Sequence, residues 1–421
     1  MAVFLLLLFV FGVVLLGRYG WARHELQVGR AWLERYHPNE ARPHLETCLQ
    51  LWPGNAEALL LMARAARRAA ILEAADPYLK EYERLHGQTE ELVLERILQT
   101  AAKGDVDRVR NYCRTLVEQE SPAASLAMEA MAQGYLSTYR LGEGFAVLQL
   151  WLKKQPDNTQ ALIFQAGLKA LLNRYDEAIA AYQRILELDP EHDTARLRLA
   201  KLWMDKAMAL EAVPHLELLR KRQPHNPMVA VLLARCRDQL GHPEEAEPLL
   251  TETLAEHPRF PLALAERGRL ALRAGRPTEA EPWLREALAQ EPGKQQARYQ
   301  LIQCLFQCGR SAEAEAEQLR LEKVKTDAKR IEKITTEEMP RRPHDPALHS
   351  ELARLLLDQE QTEEVVQWLN RALKEDPRYV PAHAVLAGYY QQAGDLERAT
   401  YHQRFLPTAN PTSAPSLPVR H

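Results

Sequence analysis

Two cysteines, Cys304 and Cys308, lie four residues apart in the stretch CLFQC, so a helix would place both thiols on one face. With histidines, such a pair could bind a metal or haem. A structural zinc site needs four convergent ligands, however, and the sequence has no second Cys pair. The remaining cysteines, Cys48, Cys113 and Cys236, fall on or near packing positions, where cysteine is commonly buried. The sequence therefore predicts core cysteines, with no metal and no cofactor.

Other motifs that could support catalysis are incomplete. GEG at 142–144 lacks the third glycine of a dinucleotide fingerprint, and HELQV at His24 lacks the second histidine of a zinc-protease helix. A phosphate-binding glycine loop and a Gly-x-Ser-x-Gly turn are both absent from the sequence. His344 and His349 in HDPALH match no usual ligand spacing, and we interpret them as turn and helix-face residues. We predict that the protein is not an enzyme and has no catalytic residues.

The elements that hold these residues repeat at a fixed interval. Prolines recur every 34 residues at Pro122, Pro156, Pro190, Pro224, Pro258 and Pro292. Small residues recur at two further places in the period, first at Ala166, Ala200, Ala234 and Gly268, and then at Ala178, Ala212, Ala246 and Ala280. Two recurring small residues indicate two helices in close contact, because larger side chains would hold the backbones apart.

Each period therefore predicts a helix, a tight turn, a second helix and a stop. Apolar residues in ALIFQAGLKALLN and DEAIAAYQRILEL recur at helical spacing, with NRYD between them as the break. The closing proline cannot continue a helix. A single hairpin cannot bury its own apolar faces, so each must pack on the next, and the predicted fold is an all-α solenoid.

This pattern resembles the tetratricopeptide repeat family, whose signature also includes an aromatic residue, here Tyr182, before the closing proline. The resemblance covers nearly all of residues 20–406 and implies a right-handed superhelical solenoid of about eleven hairpins. About nine repeats fall in 20–325 and two in 343–406, followed by a Pro/Ser/Thr-rich tail at 407–421 that we expect to be disordered. Between the blocks, residues 326–342 form an insert, and we predict one helix over 312–338. That helix either caps the first block or projects as an arm that a partner grips.

The N-terminus differs from the repeats. Residues 2–17 carry no charge and are mostly Val, Leu and Phe, and Arg18, Tyr19, Trp21 and Arg23 follow them. We predict a membrane anchor or signal segment over 1–19: a single transmembrane helix with the repeats in the cytoplasm, or a cleaved signal with a periplasmic or secreted product. An anchor followed directly by repeats resembles the lipopolysaccharide assembly protein B family, but this chain lacks that family's rubredoxin-like module and its Cys-x-x-Cys pairs.

The resemblance also implies which residues face the inner groove of the stack. Carried over position by position, it predicts a peptide-binding set of Arg198, Lys201, Arg235, Arg269, Arg273 and Gln303. Arginine can hold a carboxylate through two parallel hydrogen bonds, so this row predicts acidic or C-terminal peptide partners. The alternative is that these cations pair with groove glutamates such as Glu266 or Glu351. The stretch lacks the asparagines of the family's carboxylate clamp, so nothing specifies a chaperone-tail reader.

Charge and motifs together indicate a protein-binding role. The formal net charge of −3 gives no general attraction to nucleic acid. The prediction is a non-catalytic, membrane-tethered scaffold that binds partner proteins in its groove. The alternatives are an exported assembly factor or co-chaperone, a polyanion binder that uses the arginine row, and a metal or redox protein centred on Cys304 and Cys308.

Overall fold

The computed structural model describes residues 2–357 and 362–407, and it describes side chains for 16–357 and 364–407. Within these residues every regular element is helical, which confirms the predicted all-α class. The chain divides into two compact units, Met1–Ala195 and Arg196–His421, called unit 1 and unit 2 below. The boundary falls inside one helix, and the division into repeat blocks around the 326–342 insert stays a prediction.

Unit 1 is a series of helical hairpins. Its helices are α1 Ala2–Glu34, α2 Pro38–Leu51, α3 Ala56–Arg68, α4 Ala75–His86, α5 Glu90–Ala102, α6 Val106–Glu118, α7 Ala124–Ser137, α8 Leu141–Lys154, α9 Thr159–Leu171 and α10 Tyr175–Leu188. A 3₁₀ turn, Leu72–Ala74, precedes α4, and α11 Asp193–Asp205 crosses the boundary between the units. Asn55 and Asn158 begin α3 and α9 by accepting hydrogen bonds from the backbone N–H groups of Ala58 and Ala161, at 2.8 and 3.0 Å.

Unit 2 continues the same alternation. Its helices are α12 Ala209–Arg222, α13 Pro227–Gln239, α14 Pro243–Glu256, α15 Pro261–Arg273, α16 Pro277–Gln290, α17 Gln295–Gln307, α18 Ser311–Lys333, α19 Met339–Arg341, α20 Pro346–Leu357, α21 Thr362–Glu375, α22 Val380–Gln392 and α23 Leu396–Gln403, with a π-helix at Ile334–Glu338. Proline stands at the first helical position of α14 and α16, where its missing N–H costs no intrahelical bond.

The recurring small residues are the contact points inside each hairpin. Ala166, Ala178, Ala200, Ala212, Ala246 and Ala280 are fully buried, and Ala234 is 1% exposed. At Gly268 a side chain would not fit, because an added Cβ would lie 2.6 Å from Cγ of Leu284. The same clash recurs at Gly29, where an added Cβ would lie 2.7 Å from Cγ of Leu45. These two clashes explain why the first small position of the period excludes larger residues in these two hairpins.

Successive hairpins share their cores. One apolar cluster in unit 1 joins buried residues of α5 through α9, from Leu98 to Leu168, with Trp151 fully enclosed. In unit 2 an equivalent cluster joins α15 through α18, from Leu264 to Leu321. Aromatic Tyr182, 2% exposed, fills the same kind of interface on α10. The hydrophobic faces are therefore covered by neighbouring repeats, as stacking requires.

The insert packs against the hairpin that follows it. The helix predicted over 312–338 is observed as α18, and the π-helix continues it. Ile334 and Met339 are fully buried, and Arg330 holds Glu351 of α20 through two hydrogen bonds of 2.7 Å. Among the described residues, the end of this segment therefore packs against α20, the first helix of the next hairpin.

The N-terminal apolar run continues without a break into the first repeat helix, since α1 extends from Ala2 to Glu34. Among the described residues, no helix is both long and apolar enough to cross a membrane, so the predicted transmembrane helix is not supported. The side chains of residues 2–15 lie outside the described part, as do the tail residues 408–421.

Candidate functional site

The six predicted groove residues lie on the first helices of four successive hairpins in unit 2. Arg198 and Lys201 belong to α11, Arg235 to α13, Arg269 and Arg273 to α15, and Gln303 to α17. These helices are neighbours: α13 contacts α15, and α15 contacts α17. The thiol of Cys236 on α13 lies 2.9 Å from the sulfur of Met204 on α11. The structure therefore brings the six residues onto adjacent helices, in the order that the repeat implies.

Three of the five cations are neutralised by carboxylates of the same surface. Arg269 donates to Glu266 at 2.5 Å and to the buried Asp238 at 2.6 Å. Arg235 lies 3.3 Å from Glu266, and Arg273 also bonds Asp238. Burial alone would lower the pKa of Arg269, but Glu266 and Asp238 outweigh it and raise that pKa. The predicted row of arginines is therefore an ion network at α13 and α15. Glu266 is one of the acids in it, as the alternative of pairing with groove glutamates predicted.

The two cations of α11 differ from these three. Arg198 and Lys201 are exposed, and neither makes a hydrogen bond or ion pair with any residue of the described chain. Three positions apart on a helix, they project from the same face. Glu351, the other suggested partner, is instead bound to Arg330. Carboxylates from another chain can therefore reach Arg198 and Lys201 without first displacing an internal acid.

An aromatic patch on α17 was missed by the reasoning from sequence. Tyr299 is 50% exposed and Phe306 is 43% exposed, and the exposed Gln303 lies between them. Spacings of four and three residues place all three on one helix face. Large aromatic side chains supply much of the binding energy at protein interfaces. The spacing of Tyr299, Gln303 and Phe306 is the sequence signal that identifies this patch.

In unit 1, cations at inner-face positions pair with buried carboxylates. Glu129, 1% exposed, accepts hydrogen bonds from Arg67 at 3.1 Å and from Arg68 at 2.9 and 2.7 Å. Arg64 bonds the buried Glu95 of the next hairpin. Burial raises the pKa of Glu129, but the charges of Arg68 and Arg67 more than compensate and hold it below its usual value. The inner-face cations of these hairpins thus form ion pairs with internal carboxylates.

A surface turn also reaches these inner residues of unit 1. The turn between α1 and α2, residues 35–37, carries Tyr36, whose ring lies 4.3 Å below the guanidinium of Arg68. The hydroxyl of Tyr36 accepts a hydrogen bond of 3.1 Å from Asn158, 122 residues later. Arg35 bonds Asp189 and Glu191 at 2.9 and 3.0 Å. The first hairpin is therefore tied to the start of α9 and the end of α10.

Two histidines also lie at the contact between the α1–α2 turn and the end of α10 in unit 1. His37 bonds Asp189 at 2.7 Å, and its ring lies 4.8 Å from the ring of His192. Burial lowers the pKa of His37, but hydrogen bonds to Glu40 and Asp189 outweigh burial and raise it. Burial and the neighbouring charge of His37 lower the pKa of His192 to about 4. His192 is therefore neutral at physiological pH, and its Nδ1 accepts from the backbone N–H of Ala195 at 3.3 Å.

The cysteine pair does not have the character of a ligand site. Cys304 is fully buried and its thiol donates to the carbonyl of Pro277 at 3.0 Å. Burial raises the pKa of Cys304 to about 11, which opposes the thiolate form that binds metals. The side chains of His242, Glu244 and Glu245 bring three ligand atoms within 4.8 Å of one another, but all three are exposed and Glu245 pairs with Arg237.

Comparison with known proteins identifies the repeats. Tetratricopeptide repeat family models match residues 169–208, 231–294 and 271–334. These matches confirm tetratricopeptide repeats within residues 169–208 and 231–334. No curated protein matches the sequence.

Several solved structures are similar to this chain at low identity. PilW, a type IV pilus biogenesis factor, is 19% identical over 47% of this chain and 92% of its own, with a TM-score of 0.42. A tetratricopeptide repeat protein from Parabacteroides merdae is 15% identical over 68% of this chain and 99% of its own, with a TM-score of 0.36. Human IFIT1 with m7Gppp-AAAA is 13% identical over 83% and 89%, with a TM-score of 0.43. At these scores, the likenesses carry no argument about function.

Proposed function

We propose that this tetratricopeptide-repeat chain is a non-catalytic scaffold that binds partner proteins on the inner face of unit 2. Tetratricopeptide repeats generally serve as protein-binding scaffolds. The observation that carries the proposal is the combination of unpaired Arg198 and Lys201 on α11 with the exposed aromatics of α17. This surface offers both charge and apolar area, the two features that a peptide-binding face needs.

The partner that fits this face is a segment with acidic and apolar residues at separate places. Helices that pack side by side lie about 8–10 Å apart, so α11 and α17, three steps apart, are separated by about 30 Å. An extended peptide covers that distance in about nine residues. Carboxylates would bind Arg198 and Lys201, while an apolar side chain would pack against Tyr299 and Phe306. The ion network of Arg235, Arg269 and Asp238 lies between these two ends.

The direct test is partner capture by the purified fragment from about residue 20, followed by identification of the bound chains. A variant with Arg198→Glu and Lys201→Glu should capture less partner, because both attractive charges become repulsive. The control is Arg184→Glu with Lys206→Glu, which reverses two charges elsewhere. Equal loss in both variants, or no loss in the first, would reject α11 as the binding site.

A polyanion such as RNA is the second candidate, because Arg198 and Lys201 would also attract phosphates. Polyanion binding and peptide binding differ in how their affinity depends on salt concentration. For a polyanion, the logarithm of the binding constant falls steeply and linearly with the logarithm of the salt concentration. Polyanion binding is also indifferent to peptide sequence. Affinity that is retained at moderate salt concentration and that requires an apolar residue in the partner would favour the peptide hypothesis.

The location of the chain is a proposal from sequence alone. Residues 1–19 either tether the repeats to a membrane or direct export and are then removed. N-terminal sequencing of the mature protein distinguishes the two, since a chain that begins near residue 20 would exclude a retained anchor. Fractionation of the full-length chain with membranes, resistant to salt but not to detergent, would support the tether.

A further inference from the structure

A cavity of about 290 Å³ opens on unit 1 between two successive hairpins, where the start of α8 faces the end of α9. Leu141 and Phe145 of α8 and Leu168 and Leu172 at the end of α9 form its apolar walls. Its volume is at the small end of ligand pockets, suited to a single side chain or a small molecule. The residues that line it lie outside the inner-face positions of the repeat, so the cavity is separate from the proposed groove.

One glycine leaves open space in the lining of the cavity. Gly142 lies in the first turn of α8 and lines the cavity, and a Cβ added there would meet no atom within 4 Å. The equivalent positions of the next hairpins carry Asp176, Leu210 and Glu244, each with a side chain that Gly142 lacks. Phe145 and Leu172 are each 41% exposed, so the apolar wall faces solvent.

The polar groups at the rim favour an anion. The lining includes two cations, Lys169 and Arg174, and no acidic residue. Both cations share one carboxylate: Arg174 donates to Glu177 at 2.5 Å, and the Lys169 amine is 3.8 Å from the same side chain. One carboxylate cannot neutralise two cations, and most of the N–H donors of Arg174 and Lys169 stay available. Gln165, also in the lining, makes no hydrogen bond to any described residue.

We propose that this cavity binds one large apolar side chain of a partner protein, with an adjacent Asp or Glu of that partner held by Lys169 and Arg174. The apolar side chain would fill the space above Gly142 and contact Phe145 and Leu172. The free amide of Gln165 would hydrogen-bond the partner's backbone beside it. Charge complementarity at the rim favours an acidic partner over a basic or neutral one.

The test uses a fluorescein-labelled peptide, Gly-Ser-Gly-Leu-Asp-Gly-Ser with blocked ends, and fluorescence polarisation with the whole chain. Matched peptides replace Leu by Ala or Asp by Asn. The parent peptide should bind roughly tenfold more tightly than the Asn peptide, the preference expected of a charge-assisted hydrogen bond. The Ala peptide should bind more weakly still. Equal binding of the parent and Ala peptides would overturn the proposal, as would no binding of the parent. Tighter binding of octanoate than of peptide would assign the cavity to acyl chains and would also overturn it.

Two protein variants locate the binding. Gly142→Leu should abolish it, because the new side chain occupies the cavity, whereas Gly142→Ala adds one carbon to open space and should preserve it. Retained binding in Gly142→Leu would contradict the proposal. If Gly142→Leu fails to fold, Lys169→Gln with Arg174→Gln decides: the preference for Asp over Asn must disappear while the preference for Leu over Ala remains. Neither variant touches unit 2, so the result is independent of the groove described above.

Discussion

Cations at inner-face positions are internal in unit 1 and partly free in unit 2. In unit 1, Arg67 and Arg68 converge on Glu129, which is almost completely buried. In unit 2, Arg198 and Lys201 are exposed and have no acidic partner among the described residues. The same repeat, with the same kind of residue, therefore yields a structural ion pair in one unit and an available charge in the other.

The difference lies in the next repeat. Arg64 pairs with Glu95 and Arg235 with Glu266, and in both cases the acid lies 31 residues after the arginine. The residue 31 positions after Lys201 is the apolar Leu232, which cannot neutralise it. Lys201 therefore lacks the acid that pairs with Arg64 and Arg235 in their hairpins, whereas Arg269 is bound by Glu266 of its own helix and Asp238 of the preceding hairpin. These pairings depend on the stacking of hairpins, because the cation and its acid are neighbours in space and not in sequence.

The largest effect should come from removing the buried acid of unit 1. Glu129→Gln leaves two enclosed arginines without a counter-charge, so we expect a loss of about 3–5 kcal/mol in unfolding free energy. Urea unfolding followed by circular dichroism measures it. Glu120→Gln, whose carboxylate is exposed, is the control and should change little. A loss below about 1 kcal/mol for Glu129→Gln would show that the buried network is not structural.

Acid should destabilise unit 1 through His192. Its pKa is about 4 in the folded chain and about 6.5 when unfolded, so between these values only the unfolded chain takes up the proton. Stability that is present above pH 6.5 is therefore lost as the pH falls towards 4. His37 has the opposite sign, because its raised pKa gives stability that is present below pH 6.5 and lost as the pH rises.

The wild-type chain should thus lose about 2–3 kcal/mol more than a His192→Asn variant between pH 7 and pH 4.5. Urea unfolding at the two pH values measures the difference. The exposed His225, replaced by Gln, should leave the wild-type pH dependence intact. Parallel losses in the wild type and His192→Asn would mean that His192 titrates normally.

Overpacking the small positions should affect both units alike. Ala178→Leu in unit 1 and Ala246→Leu in unit 2 each place a large side chain at a fully buried contact, with an expected loss of about 1–3 kcal/mol. Ala180→Leu on the same helix as Ala178 is exposed and serves as the control. Hydrogen exchange should show the loss confined to neighbouring repeats. Unchanged stability in either unit would refute the repeat register there.

Charge reversal on α11 should have the smallest effect on stability. Arg198→Glu with Lys201→Glu should change the unfolding free energy by no more than about 0.5 kcal/mol, as for other exposed substitutions. Arg235→Glu with Arg269→Glu should destabilise unit 2, because new carboxylates would face Glu266 and Asp238. Thermal melting of the two double variants checks both expectations. Similar melting of the two would contradict the division of this face into free and paired cations.

The repeats could be predicted from the sequence because their packing is local. Gly268 and Leu284 meet within one hairpin, and a period of 34 residues shows the recurring small positions in linear order. The ion partners could not be predicted with the same certainty, because Arg269 is placed between Glu266 and Asp238 only once hairpins stack. The turn contact of Tyr36 with Asn158 spans 122 residues and left no periodic signal.

Polar pairs inside the hairpins were also missed. Arg298 bonds Glu317, and His383 lies 2.8 Å from His402 between their Nδ1 atoms, both across 19 residues. The positions equivalent to Arg298 are the apolar Leu162 and Leu264 in other hairpins, so an apolar contact was the natural expectation there. In both pairs the polar side chain on the first helix contacts a polar partner on the second helix.

Partner proteins should contact the inner face of unit 2. A photo-crosslinking amino acid at Gln303, beside Tyr299 and Phe306, tests this directly when compared with the same group at Glu315 on the exposed side of α18. We expect the captured partner to crosslink at Gln303 and not at Glu315. Crosslinks at Glu315 alone, or at both positions equally, would contradict the assignment of the binding face.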